Sequence, residues 1–80
     1  MEEVQTLTEL PLGRRGIITG LTVRDPARRR LLELGFIPGT LIEAIRRSPA
    51  GEPTAFRLRE TVVALRREEA RQISIHLLPE

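Results

Sequence analysis

"LGFIPGTLIEAI", residues 34–45, sets two glycines four residues apart, with a proline directly before the second, between an arginine-rich segment and a β-like run. The two glycines have different roles. Ahead of the first lies "DPARRRLLEL", residues 25–34, which reads as a helix. Asp25 suits its N-cap, where a carboxylate accepts from the free amides of the first turn, and Pro26 suits the first helical position, where a missing N–H costs nothing. Gly35 then fits the left-handed C′ position, and Phe36, next in line, can pack back on Leu31 in a Schellman ending. On the helical wheel Ala27, Leu31 and Leu34 share the core face, Arg28 and Arg29 point away, and Leu32 lies off the core side. The second glycine belongs to a turn. Proline presets φ at the first central position and glycine accepts a positive φ at the second, which predicts a type II turn centred on Pro38 and Gly39 that launches the next strand.

Outward from that junction the chain reads as short strands. "GIITGLTV", residues 16–23, is rich in β-branched residues, with Gly20 in mid-run as a bulge or sharp bend. Residues 40–47 run into "SPAGEP", where Gly51 can take a positive φ between two prolines, and out through "TAFRLRE" as a hairpin with a longer loop. Phe56 and Leu58 alternate with Arg57 and Arg59, so that one face is buried and the other basic and wet. In "TVVALR" Val63 and Leu65 point inward. "REEARQ", residues 67–72, carries acids early and Arg71 late, which complements a helix dipole for one or two turns without a good N-cap. Ile73, Ile75 and Leu77 alternate with Ser74 and His76 in a closing strand. Residues 1–6 are polar and expected to be loosely held. The prediction is a single, mainly β domain over residues 1–80, with one or two short helices and five to six antiparallel strands in a small SH3-like barrel whose closure limits exposed edges.

Composition narrows the function. A chain of 80 residues buries only roughly 60 to 65% of the surface its unfolded form exposes, so it must fold on one well-used core. It contains no cysteine, which removes disulfides, thiolate zinc sites, iron–sulfur ligation and thiol nucleophiles together. No apolar run is longer than Val62 to Leu65, so no membrane insertion is expected and the reading is a cytoplasmic protein. The sequence pI near 10.9 overstates the basicity, because the formal charge is only +2. All 13 basic residues are arginine and no lysine, tyrosine or cysteine titrates between histidine and arginine. Eleven acidic residues are interleaved with them, which suits a mixed solvated surface and not a groove that tracks phosphates. No nucleic-acid partner is expected.

Taken in order, Arg30-Leu31 and Leu34-Gly35 at the helix end, Pro38-Gly39-Thr40 at the turn, Pro49-x-Gly51-x-Pro53 in the hairpin, Leu65-Arg66, and Glu69-Ala70-x-x-Ile73 resemble the FeoA family, small cytosolic domains associated with bacterial ferrous iron uptake. The resemblance runs from about Leu7 to His76. It implies an SH3-like barrel, also found as the C-terminal domain of some iron-dependent repressors, and a partner instead of a reaction: FeoB, a membrane transporter with a cytosolic GTP-binding domain. A generic SH3-like interaction module or homo-oligomer, related to the repressor C-terminal domain, is the alternative. Transition-metal binding goes with the family's label.

The residues themselves bear on each chemistry. Nucleotide binding by a Walker-type loop needs a lysine, and none is present. An Fe(II) site wants several converging imidazole or carboxylate ligands; the only imidazole is His76, on the outward face of the last strand, which makes it at most a weak site together with a neighbouring carboxylate. A proline-rich peptide groove is lined with aromatics, and the only aromatics, Phe36 and Phe56, read as capping contact and core. Catalysis needs a nucleophile, a base and an orienting group in one place, and none is evident, so neither catalysis nor a cofactor is expected. What remains is a surface for a protein partner. Arg28, Arg29 and the off-core Leu32, extended by Arg57 and Arg59, combine arginine with an apolar anchor as interface cores do.

Overall fold

The computed structural model describes residues 5–80. In chain order the elements are β1 (Gln5–Thr6), a 3₁₀ turn (Leu7–Glu9), β2 (Arg15–Leu21), α1 (Ala27–Leu34), β3 (Leu41–Arg47), β4 (Thr54–Leu58), β5 (Thr61–Leu65), α2 (Arg67–Ala70) and β6 (Ile73–Leu77). The strands form one sheet in the order β1-β6-β2-β3-β4-β5, every neighbouring pair antiparallel. The fold is the mainly β one that the strand pattern predicts, and Gly20 does sit at a register shift in β2. Inward positions alternate with outward ones along β3, β4 and β6, placing Ile42, Ala44, Phe56, Leu58, Ile73 and Ile75 in a core that Leu7, Leu10, Leu31 and Phe36 complete.

Closure is the expectation the structure modifies. β1 and β5 lie at opposite ends of the strand order and do not pair. The short helix α2 touches β5 on one side and the 3₁₀ turn on the other. A helix therefore fills the place of the last strand contact, and its buried Ala70 joins the core. The N-terminal expectation changes as well: residues 5 and 6, read as loosely held, pair with Ile75 and Ser74 of β6, while residues 1–4 fall outside the described part of the chain.

The helix-to-strand junction forms as its two glycines require. Gly35 has a φ of 111°; its N–H donates to the Leu32 carbonyl at 3.1 Å and the Phe36 N–H to the Leu31 carbonyl at 3.0 Å, the two bonds of a Schellman ending. Gly39 has a φ of 95°, and the Thr40 N–H donates across the Pro38-Gly39 turn to the Ile37 carbonyl at 2.9 Å. The start of α1 differs from its reading. Pro26 occupies the N-cap and no side chain caps the helix. The first turn opens one residue earlier, at Arg24, whose carbonyl accepts from the Arg28 N–H at 3.0 Å; Asp25 is then inside that turn and not in front of the free amides. Ala27, placed on the core face by the wheel, is exposed, because the helix rests on Leu31 with Leu34 partly covered.

Candidate partner-binding groove

The outer face of β2–β3–β4–β5 is assembled by register. Arg15 of β2 lies opposite Glu43 of β3, Glu43 opposite Arg57 of β4, and Arg57 opposite Val62 of β5. Directly opposed residues share a face of the sheet, so these four form one row across four strands. Leu41, opposite Ile17, begins the neighbouring row. The Pro38-Gly39 turn brings Ile37 up beside Leu41. Together Arg15, Ile37, Leu41, Glu43, Arg57 and Arg59 line an open groove of about 520 Å³.

The groove combines exposed aliphatic side chains with an excess of positive charge. Ile37 and Leu41 are 40% and 42% exposed, and Val62, further along the same face, is 55% exposed. The Arg57 guanidinium stands 3.7 Å from the Glu43 carboxylate. Arg15 and Arg59 have no acidic partner within ion-pair distance among the described residues.

The partner residues proposed from the sequence divide in two. Arg57 and Arg59 line the groove. Arg59, however, is not a strand residue as the alternation suggested. It sits with Glu60 in the two-residue turn between β4 and β5 at a φ of 58°. Arg28, Arg29 and Leu32 lie on α1 and do not line the groove. Arg28 is half-buried, its guanidinium donating to the Leu21 carbonyl at 3.4 Å, and Leu32 is half-buried too, so neither stands free as an anchor; Arg29 is exposed. Sequence reasoning missed Arg15, Ile37, Leu41 and Val62. The alternation of β3 carried a partial signal, because inward Ile42 and Ala44 force Leu41 outward.

His76 is exposed on β6, and among the described residues no three His, Cys, Asp or Glu side chains converge as metal ligands. A smaller cavity of about 200 Å³ lies between Arg47, Glu52 and Arg67 beside α2. Its carboxylate is committed, since Glu52 accepts from the Arg67 N–H at 2.9 Å. Gly51 takes its positive φ of 99° in that same loop. The hydrogen bond from Arg30 at 2.8 Å holds the Glu69 carboxyl below its ordinary pKa against the opposing effect of burial, with help from the Arg66 N–H.

The FeoA domain model matches residues 5–77. This chain belongs to the FeoA family. It is 35% identical over 72 residues to the Fe(2+) transport protein A/Fe(2+) transporter FeoB fusion protein of Porphyromonas gingivalis, a match that takes in 90% of this chain and 8% of that one. The present chain thus spans a small fraction of that relative's length. The solution structure of FeoA from Chlorobium tepidum superposes with a TM-score of 0.88 at 32% identity, over 94% of this chain and 71% of the other. Stenotrophomonas maltophilia FeoA, crystallised with zinc and described as an SH3 domain protein, gives a TM-score of 0.79 at 33% identity, over 89% and 88% of the two chains. A manganese-dependent transcriptional repressor shares the fold alone, at 16% identity and a TM-score of 0.82. For this FeoA-family chain the open, helix-plugged sheet is therefore the SH3-like architecture that its motifs implied.

Proposed function

We propose that this chain is an accessory protein of ferrous iron uptake that binds the cytosolic part of an FeoB-type transporter and modulates it. The observation that carries the reading is the Porphyromonas relative, in which a 35% identical segment and FeoB are one polypeptide. Fusion holds a domain at high effective concentration beside its target. A separate chain with the same role must supply that proximity by its own affinity, and a surface of arginine around aliphatic side chains suits that task.

The residues favour binding over catalysis. With no cysteine, no lysine and one exposed histidine, the chain offers few groups from which to build a nucleophile and its base. Modulation asks much less, since about 1.4 kcal/mol of differential binding between two transporter states shifts their equilibrium tenfold. No helix of the described residues is long and apolar enough to cross a membrane. The fold shared with a repressor supplies no comparable argument, because fold alone does not carry function.

The test is calorimetric titration of this protein into the detergent-solubilised FeoB of the same organism, with GDP and with a non-hydrolysable GTP analogue, at low and moderate salt. Saturable binding that differs between nucleotides and weakens with salt is expected. Absence of binding in every state, with both proteins folded, would sink the reading in favour of an interaction module with another partner.

A further inference from the structure

We propose that the groove between the Ile37–Leu41 turn and β4 receives an acidic segment of the protein partner, one aliphatic side chain of that segment seating against Ile37 and Leu41 while its carboxylates meet Arg57 and Arg59. This rests on the reading of the chain as a transporter-binding protein and names the surface and the chemistry it recognises.

Three independent features converge on it. The first is the distribution of apolar surface. Large exposed apolar side chains are normal when scattered, but of the four among the described residues, Leu12, Ile37, Leu41 and Val62, three share this outer face. Clustering of that kind within a polar rim marks an interaction site. The second is charge. Three guanidinium groups, those of Arg15, Arg57 and Arg59, face the single carboxylate of Glu43, which lies 3.7 Å from Arg57. One carboxylate cannot neutralise three cations, so the groove keeps positive charge to meet acidic groups from outside, in the planar, bidentate manner that guanidinium favours.

The third is the backbone under Arg59. Its positive φ of 58° falls at the first central position of a two-residue hairpin turn, where glycine is the favoured residue. An arginine held there is costlier to the fold than glycine, and such outliers gather where a side chain is needed for binding. The groove is also rigid before any partner arrives. The Gly39 N–H donates to the Ile18 carbonyl at 2.7 Å and the Ile18 N–H to the Thr40 carbonyl at 3.0 Å, so the turn is sewn to β2. Little ordering is left to oppose binding.

The two requirements on Arg59 have opposite signs, and this gives the test its edge. Arg59→Gly should raise the thermal midpoint and weaken binding. Purified, isotope-labelled full chain is titrated by NMR with the synthetic peptide Asp-Glu-Leu-Glu-Asp and with its neutral counterpart Asn-Gln-Leu-Gln-Asn. Amide shifts at Ile37, Gly39, Leu41, Arg57 and Arg59 are expected with the acidic peptide only. Affinity should fall about tenfold in Arg59→Gly and in Arg57→Gln, and comparably in Leu41→Ser, with no drop in the midpoint of Arg59→Gly. Equal shifts with the neutral peptide, or shifts confined to other surfaces, overturn the proposal. So do concentration-dependent shifts on the same residues without peptide, which would assign the groove to a second copy of the chain.

The same variants are then titrated against the solubilised transporter. If the native chain binds it and all three variants bind equally well, the groove is wrong and the transporter reading stands. If the native chain fails to bind it while the acidic peptide still enters the groove, the transporter reading is wrong and the groove stands.

Discussion

At the residue scale, the positions that could be read from sequence are those whose backbone leaves few alternatives. Gly35 and Gly39 were assigned to a helix stop and a turn because only a residue without Cβ adopts their φ of 111° and 95° at low cost. Asp25 was misplaced because an Asp-Pro pair fits the inside of a turn as readily as a helix N-cap, and the choice between them depends on where the preceding carbonyl points. The difference between glycines gives a paired prediction. A Cβ at Gly35 would stand 3.2 Å from Leu58 Cδ1 as well as straining the backbone, whereas a Cβ at Gly20 meets nothing within 4 Å and Gly20 has no positive φ. Gly35→Ala should cost about 1 to 3 kcal/mol in urea unfolding. Gly20→Ala should be neutral or stabilise by up to about 1 kcal/mol, through loss of freedom in the unfolded chain. Equal destabilisation by both would show that the bulge in β2, and not steric room, governs the second site.

At the element scale, α2 shows why its sequence could announce a helix and not its cap. No suitable residue precedes it, and the missing acceptors come from elsewhere: Glu52 of the hairpin loop takes the Arg67 N–H at 2.9 Å, and Glu69 reaches back to the Arg66 N–H at 3.2 Å. Local pattern has no means of showing a cap donated across a loop. Glu52→Gln should accordingly speed amide exchange within Arg67–Ala70 more than elsewhere, because a neutral amide is a weaker acceptor at a helix start. Glu69 also ties α2 to α1 through Arg30. Its carboxyl titrates below the ordinary glutamate range chiefly because of the Arg30 hydrogen bond. The folded state therefore favours the ionised form. The resulting stability is present above the ordinary glutamate pKa and is lost as pH falls through the lowered one. Since Arg30 is 60% exposed and solvent screens the pair, the amount is no more than about 1 kcal/mol. Urea midpoints of native protein and Glu69→Gln should differ at pH 7, and the difference should shrink as pH falls below the ordinary glutamate range; a constant difference would mean that packing and not charge is at work.

At the scale of the whole molecule, strand count, helix placement and core were legible because each rests on local alternation and punctuation. The open seam between β1 and β5 was not, since it depends on α2 entering a gap that only the assembled sheet creates. The groove was half legible for the same reason. Arg57 and Arg59 stood out by their charge, but Ile37, Leu41, Val62 and Arg15 come from separate segments and meet only through register. One whole-chain property can be carried from the sequence to an experiment without loss. With 13 arginines, no lysine, no tyrosine and no cysteine, no side chain changes charge between about pH 8 and pH 11. Stability responds to pH only where folded and unfolded states bind different numbers of protons, so the thermal midpoint should stay level across that range while it falls on the acid side. A drop of more than about 4 °C between pH 8 and pH 10, equivalent to roughly 1 kcal/mol for a chain of this size, would contradict the charge inventory. Binding must follow the same rule if arginine carries it. The affinity of the groove for the acidic peptide should be level from pH 8 to pH 10, where a lysine-based site begins to discharge, and should weaken with salt throughout, as contacts between exposed charges do. An affinity that declines with pH over this interval would rule out guanidinium as the group that holds the partner.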